Sequence, residues 1–438
     1  MANVKWDAFS GEHDWNDTAN WLGGSLPGSG DTAIIHSPNA FQVDIDSAIS
    51  ARIVRMDAFS ATLMETSAGS IAAHTLDLIS GTAIFDASNA ITEVDIGNAL
   101  VELGADGALG SRTIHSGGTI EAMTDITLSN PIDFLDSGIF EAASGHTLAL
   151  QNVLTIAGDA VSAEDVPIRI GGTTSGIAGT IVLKGASFGG TDLPYSLDIG
   201  FGTVTTGANT HGAGAAALLS GADIVSVDGT LDLRHDSSAV TLHNLYANGT
   251  VLGLTSQTFS VVDPQFSGTL SGNFTLDVTG SGYLNGALNK STLYLGPGTD
   301  ALNIVGATGN VTVTTDSAAN ATISVGEGTT VHITNFTDGH LAAILYGDNL
   351  HFTYVSYVGG LEMGVHPHNA GEQAYDLYFN GIASSSQLAI GGDGHGHYEV
   401  TLAPSEAAPH PADDAALNHA VEVANLAAAA AAGTPDYF

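Results

Sequence analysis

The sequence predicts an all-β fold: a parallel β-helix with an aromatic N-terminal cap and a C-terminal β-rich module. Three observations carry that prediction. From about residue 33 to residue 335, short runs of alternating apolar and polar residues follow one another, as in FQVDID, HTLDLIS, ITEVDIG, GGTIEAM and GNVTVTT. Alternation buries one face of a strand, and no helical spacing is sustained in this region. The runs recur at about 20 residues, so that Gly118-Thr119-Ile120 returns as Gly138-Ile139-Phe140, which is the period of a solenoid whose rungs stack. Their apolar positions hold small aliphatics rather than the aromatics of a β-sandwich, as a narrow stacked interior requires.

Residues 1–36 read as the cap. The first rung of a solenoid exposes an apolar cross-section and unpaired strand edges that must be covered. All three tryptophans of the 438-residue chain, Trp6, Trp15 and Trp21, fall in this opening stretch. The series Trp6, Trp15, Asn20-Trp21, Gly23-Gly24, Pro27, Gly30-Asp31, Ala33 and Ile35 resembles the entry to the passenger domains of autotransporter-like and haemagglutinin-like β-helix proteins. That resemblance implies the fold and a secreted surface protein; it implies no ligand.

Residues 37–338 read as the shaft. The chain's 55 glycines serve its turns, where positive φ is often needed. Within it, LGPGTDALN at 295–303 resembles the calcium-binding nonapeptide of RTX proteins, except that Leu295 replaces the first glycine. The resemblance makes Gly296, Gly298 and Asp300 candidate calcium ligands; a plain β-turn also fits.

Residues 339–403 form a Tyr- and His-rich β module, with Tyr346, Tyr354, Tyr357, Tyr375, Tyr378 and Tyr398. Nine of the 17 histidines lie from His332 onward, two pairs of them at i,i+2: His366 with His368, and His395 with His397. In extended backbone each pair projects to one side and suits zinc or copper; the intervening proline and glycine suit loops with no set geometry. Residues 404–438 read as a Pro-rich linker and an Ala-rich helix. This tail resembles the uncleaved C-terminal signal of type I secretion in RTX and calcium-dependent surface-layer proteins, and a capping helix is the other reading.

Charge narrows the function classes. Forty-six carboxylates against eight Lys and Arg give a net charge of −38, which opposes nucleic acid and anionic membrane surfaces. Calcium is the cation such a surface suits; simple solubility or a salty habitat is the other reading of the same excess. The chain has no cysteine, no apolar run of membrane-spanning length, and no basic-then-apolar signal peptide at its start. Catalysis is not expected: polysaccharide lyases of this shape need Lys or Arg beside an acidic sugar, and no base follows Lys290. The reading is an extracellular structural protein of a Gram-negative cell surface, self-assembling with calcium into a layer, matrix or filament and without an enzymatic role, with cell-surface polysaccharide a further partner. An adhesin, then a phage tailspike or polysaccharide-degrading enzyme, are the alternatives.

Overall fold

The computed structural model describes residues 2–7, 12–135, 137–152, 154–156, 166–183, 188–189, 195–206, 213–235, 240–253, 258–272, 275–289, 291–304, 309–315, 321–325, 329–334, 341–346, 351–357, 360–366, 375–380, 382, 385–392 and 397–403. The tail at 404–438 lies outside them. The fold is a β-solenoid of stacked parallel strands, 66% strand and 4% helix, with about 12 turns. It divides into two compact units, 1–238 and 239–438, a division that falls within the stretch read as one shaft.

The first thirteen strands of the first unit are β1 (Asn3–Lys5), β2 (Glu12–Asp14), β3 (Thr32–His36), β4 (Phe41–Ile45), β5 (Ala48–Glu65), β6 (Ser70–Phe85), β7 (Ala90–Leu103), β8 (Ile114–Ser116), β9 (Thr119–Ala122), β10 (Ile126–Leu128), β11 (Ile132–Phe134), β12 (Gly138–Ala142) and β13 (Thr147–Leu150). One face stacks β1, β3, the middles of β5 and β6, the first half of β7, then β8 and β11. A second stacks β2, β4, the ends of β5, β6 and β7, then β9 and β12. A third set pairs the starts of β5, β6 and β7, and β10 with β13. Thr119 faces Ile139 and Ile120 faces Phe140, so the sequence recurrence is one rung.

Alternation makes each face, and a break in alternation makes each corner. In β5 the alternation breaks twice: Arg52 and Ile53 separate the buried Ala51 and Val54, and Phe59 and Ser60 are both exposed between the buried Ala58 and Ala61. At the matching corner of β6, Gly81 has φ of 100°. A Cβ there would lie 2.6 Å from the Ala58 carbonyl oxygen, so both conformation and space require glycine.

Inward residues form columns. Val43, Leu63, Ala83, Val101, Ile120 and Phe140 face one another in turn and are fully buried. So do Ala33, Val54, Leu76, Val94, Ile114 and Ile132. Burying so much aliphatic surface is the main stabilising term, at about 25 cal/mol per Å². Two columns break the rule. Ser116 follows Met56, Leu78 and Ile96, and its hydroxyl has no hydrogen-bond partner among the described residues. Replacing Ser116 by alanine is expected to raise the unfolding free energy by about 1 kcal/mol, since an unmet buried hydroxyl is a cost. Urea denaturation reads this, and a loss of stability would mean that the hydroxyl is bonded. The other exception, Glu65, occupies a column with Ile45, Phe85 and Leu103.

In the second unit, Val240–His243, Thr258–Val262, Thr275–Leu284, Ser291–Ile304, Gly309–Thr315 and Thr329–Thr334 stack in parallel. Pairing turns antiparallel where Leu341–Tyr346 meets His397–Leu402. A meander of His351–Tyr357, Gly360–His366 and Tyr375–Asn380 follows the same pattern, and its last strand returns parallel to Thr329–Thr334. There His332 stacks on Tyr378 with ring centroids 4.3 Å apart. Among the described residues no helix is long and apolar enough to cross a membrane.

Candidate functional site

The N-terminal segment builds the first rung. β1 pairs with β3 and β2 with β4. One residue beyond the Lys5–Ile34 pair, Trp6 donates its backbone N–H to the Ile34 carbonyl at 2.9 Å; one beyond Asp14–Asp44, Trp15 donates to Asp44 at 2.8 Å. Trp6 therefore heads the column of Ile35, Met56 and Leu78, and Trp15 heads that of Ile45, Glu65 and Phe85. Trp21 joins them, packed edge-on against Trp6 and Trp15 at 4.9 and 4.7 Å between ring centroids. Its indole Nε1–H donates to the Trp15 carbonyl at 2.7 Å. All three indoles are buried. A 3₁₀ turn at Thr18–Asn20, capped by Asp17, brings Trp21 back over the strands.

Outward residues form columns of their own, and these carry the charge. On the first face Arg55, Asp77, Asp95, His115, Asp133 and Thr155 stand partner to partner on successive rungs. Neighbouring strands lie about 4.8 Å apart, so unlike groups bond. Arg55 Nε–H donates to Asp77 Oδ2 at 2.6 Å. His115 Nδ1 lies 3.4 Å from Asp133 Oδ2, and Thr155 Oγ1–H donates to Asp133 Oδ1 at 2.8 Å. Two residues before Asp95 on β7, Glu93 shares its outward side and accepts from the Thr75 hydroxyl at 3.1 Å. Glu93, Asp95 and His115 each offer a donor atom, all within 4.8 Å of one another. Burial, and then the Glu93 charge, push the Asp95 carboxyl above its ordinary range, with His115 opposing.

On the second face Glu102, Glu121 and Glu141 stack in register. Glu121 and Glu141 are buried, and Glu141 Oε1 accepts from the Thr173 backbone N–H at 2.9 Å. Burial first, then the neighbouring carboxylates, raise the pKa of Glu121; burial and Asp86 raise that of Glu102.

The residues singled out from sequence for metals lie elsewhere. The backbone of Gly296, Gly298 and Asp300 runs within the strand Ser291–Ile304, their side chains outside the described residues. His366 ends Gly360–His366, opposite His351, and His397 begins His397–Leu402, opposite Tyr346. The described pairings do not join these two strands, and His368 and His395 lie outside the described residues. Sequence reading missed Glu93, Asp95 and His115. The signal was the rung period itself: aligned on it, the triplets Leu76-Asp77-Leu78, Val94-Asp95-Ile96, Ile114-His115-Ser116 and Ile132-Asp133-Phe134 place one polar residue between two inward ones.

Fold and columns together define a β-solenoid with a filled interior and polar outer faces. No protein-family model matches the chain, and no curated protein or solved structure matches it either.

Proposed function

We propose that the protein is an extracellular structural component of a cell surface, self-associating through its outer faces with calcium offsetting their charge. The observation that supports this reading is the first outer face of the 1–238 unit. Asp77, Asp95 and Asp133 stand there in one column, with Glu93 two residues from Asp95 on the same strand, and Arg55 is bonded to Asp77. The interior is occupied by side chains, so recognition falls to these faces. A chain of net charge −38 packs beside its own copies when cations bridge the carboxylates. Cell-surface polysaccharide is a further partner in this reading, and export by a type I route suits the acidic, cysteine-free composition.

Electron microscopy of purified protein, with calcium and then with chelator, tests it. Ordered polymers that dissolve on chelation are expected. Monomers or small closed oligomers under both conditions would overturn self-assembly, and tight polysaccharide binding by those species would favour an adhesin.

A further inference from the structure

The cluster on β7 and β8 has a donor set that calcium does not explain. Calcium takes oxygen ligands, carboxylate and carbonyl, whereas an imidazole suits borderline transition metals such as zinc. Glu93 and Asp95 share one side of β7, and His115 is the rung partner of Asp95. The ladder fixes the backbone beneath all three, so their approach to within 4.8 Å is set by sheet geometry rather than by a loop.

The surroundings fit a bound cation as well. His115 Nδ1 faces Asp133, the outer carboxylate that commonly orients a metal-bound histidine and leaves Nε2 for the metal. The Thr75 hydroxyl holds Glu93 from the preceding rung. The other charged groups nearby are His74, 4.0 Å from Glu93, and Asp77, which Arg55 already pairs. Glu93, Asp95 and Asp133 thus leave a negative excess around one imidazole. All three donors are partly exposed, so an ion can enter and water can complete its shell.

We propose that Glu93, Asp95 and His115 form a zinc site, with Asp133 and Thr75 positioning two of the ligands. The site has three protein donors of mixed type and an open remainder of the coordination sphere. The proposal does not rest on calcium-assisted assembly.

The test is metal titration of the full chain, with zinc as the probe by calorimetry and cobalt(II) as its coloured substitute. The chain carries other histidines, so the readout is the difference between proteins. His115→Ala is expected to lose one zinc equivalent together with the corresponding cobalt absorption. Asp133→Asn is expected to keep that equivalent with affinity about 10- to 100-fold weaker, the usual effect of removing an outer partner. Unchanged circular dichroism would establish that both variants fold. Equal zinc stoichiometry and affinity in the parent and His115→Ala would overturn the proposal, as would full displacement of zinc by equimolar calcium.

Discussion

Changing Trp15 and Trp21 together to alanine is expected to unfold the first rungs of the 1–238 unit and leave a chain that sticks to its own copies. Each indole is fully buried, and truncating a buried tryptophan typically costs about 3 to 5 kcal/mol. The two rings also pack edge-on against each other at 4.7 Å between centroids, so their losses will not simply add. Even so the total approaches the whole stability of an ordinary domain, about 5 to 15 kcal/mol. The exposed surface would be the heads of the core columns and the edges of β3 and β4, a ready template for strand addition. Denaturant unfolding and size-exclusion chromatography measure both effects. A soluble double variant with parental stability would show that the tryptophans do not close the solenoid.

The cap was legible because tryptophan is scarce in this chain and its placement has a mechanical reason. The rung period was legible for a similar reason: a parallel stack repeats its inward residues, and Ile120 over Phe140 is visible as text. The outward columns were not. Asp95 and His115 lie 20 positions apart with nothing local to link them, and only the register of β7 on β8 makes them neighbours. Short motifs drew attention instead to His366, His368, His395 and His397, where proximity in sequence stands in for proximity in space. The corners were hidden too, since a single extra residue such as Phe59 reverses which positions face inward. Glu65 was hidden most completely. Only register places it in a core column, between Ile45 and Phe85.

That placement gives the second large expectation. Glu65 is fully buried, and its Oε1 has no hydrogen-bond partner among the described residues. Its Oε2 accepts from Asn89 Nδ2–H at 2.9 Å. Asn89 is itself held in place: it accepts from the Ile71 backbone N–H and donates to the Ala108 carbonyl. Burial dominates over the Asn89 bond and pushes the Glu65 carboxyl from 4.5 to about 7. Below pH 4.5 the folded and unfolded chains both hold this proton, and the group imposes no charge penalty. Between 4.5 and 7 the unfolded chain releases it while the fold retains it, so stability falls as pH rises. Above 7 the loss is complete, at about 3 kcal/mol by the relation of one pKa unit to 1.36 kcal/mol. Asp95, Glu102, Glu121, Asp198 and Asp277 shift in the same direction, mainly through burial, while Asp31 and Asp232 shift oppositely. The protein is therefore expected to unfold at higher denaturant at pH 5 than at pH 8. Glu65→Gln keeps an oxygen for Asn89 and cannot ionise. It is expected to match the parent at pH 4 and to exceed it by up to about 3 kcal/mol at pH 8. Urea unfolding of both proteins at pH 4, 6 and 8 decides the matter. Parallel pH profiles would place the ionisation of Glu65 outside the folding equilibrium, and its burial would then have to be matched by a partner for Oε1.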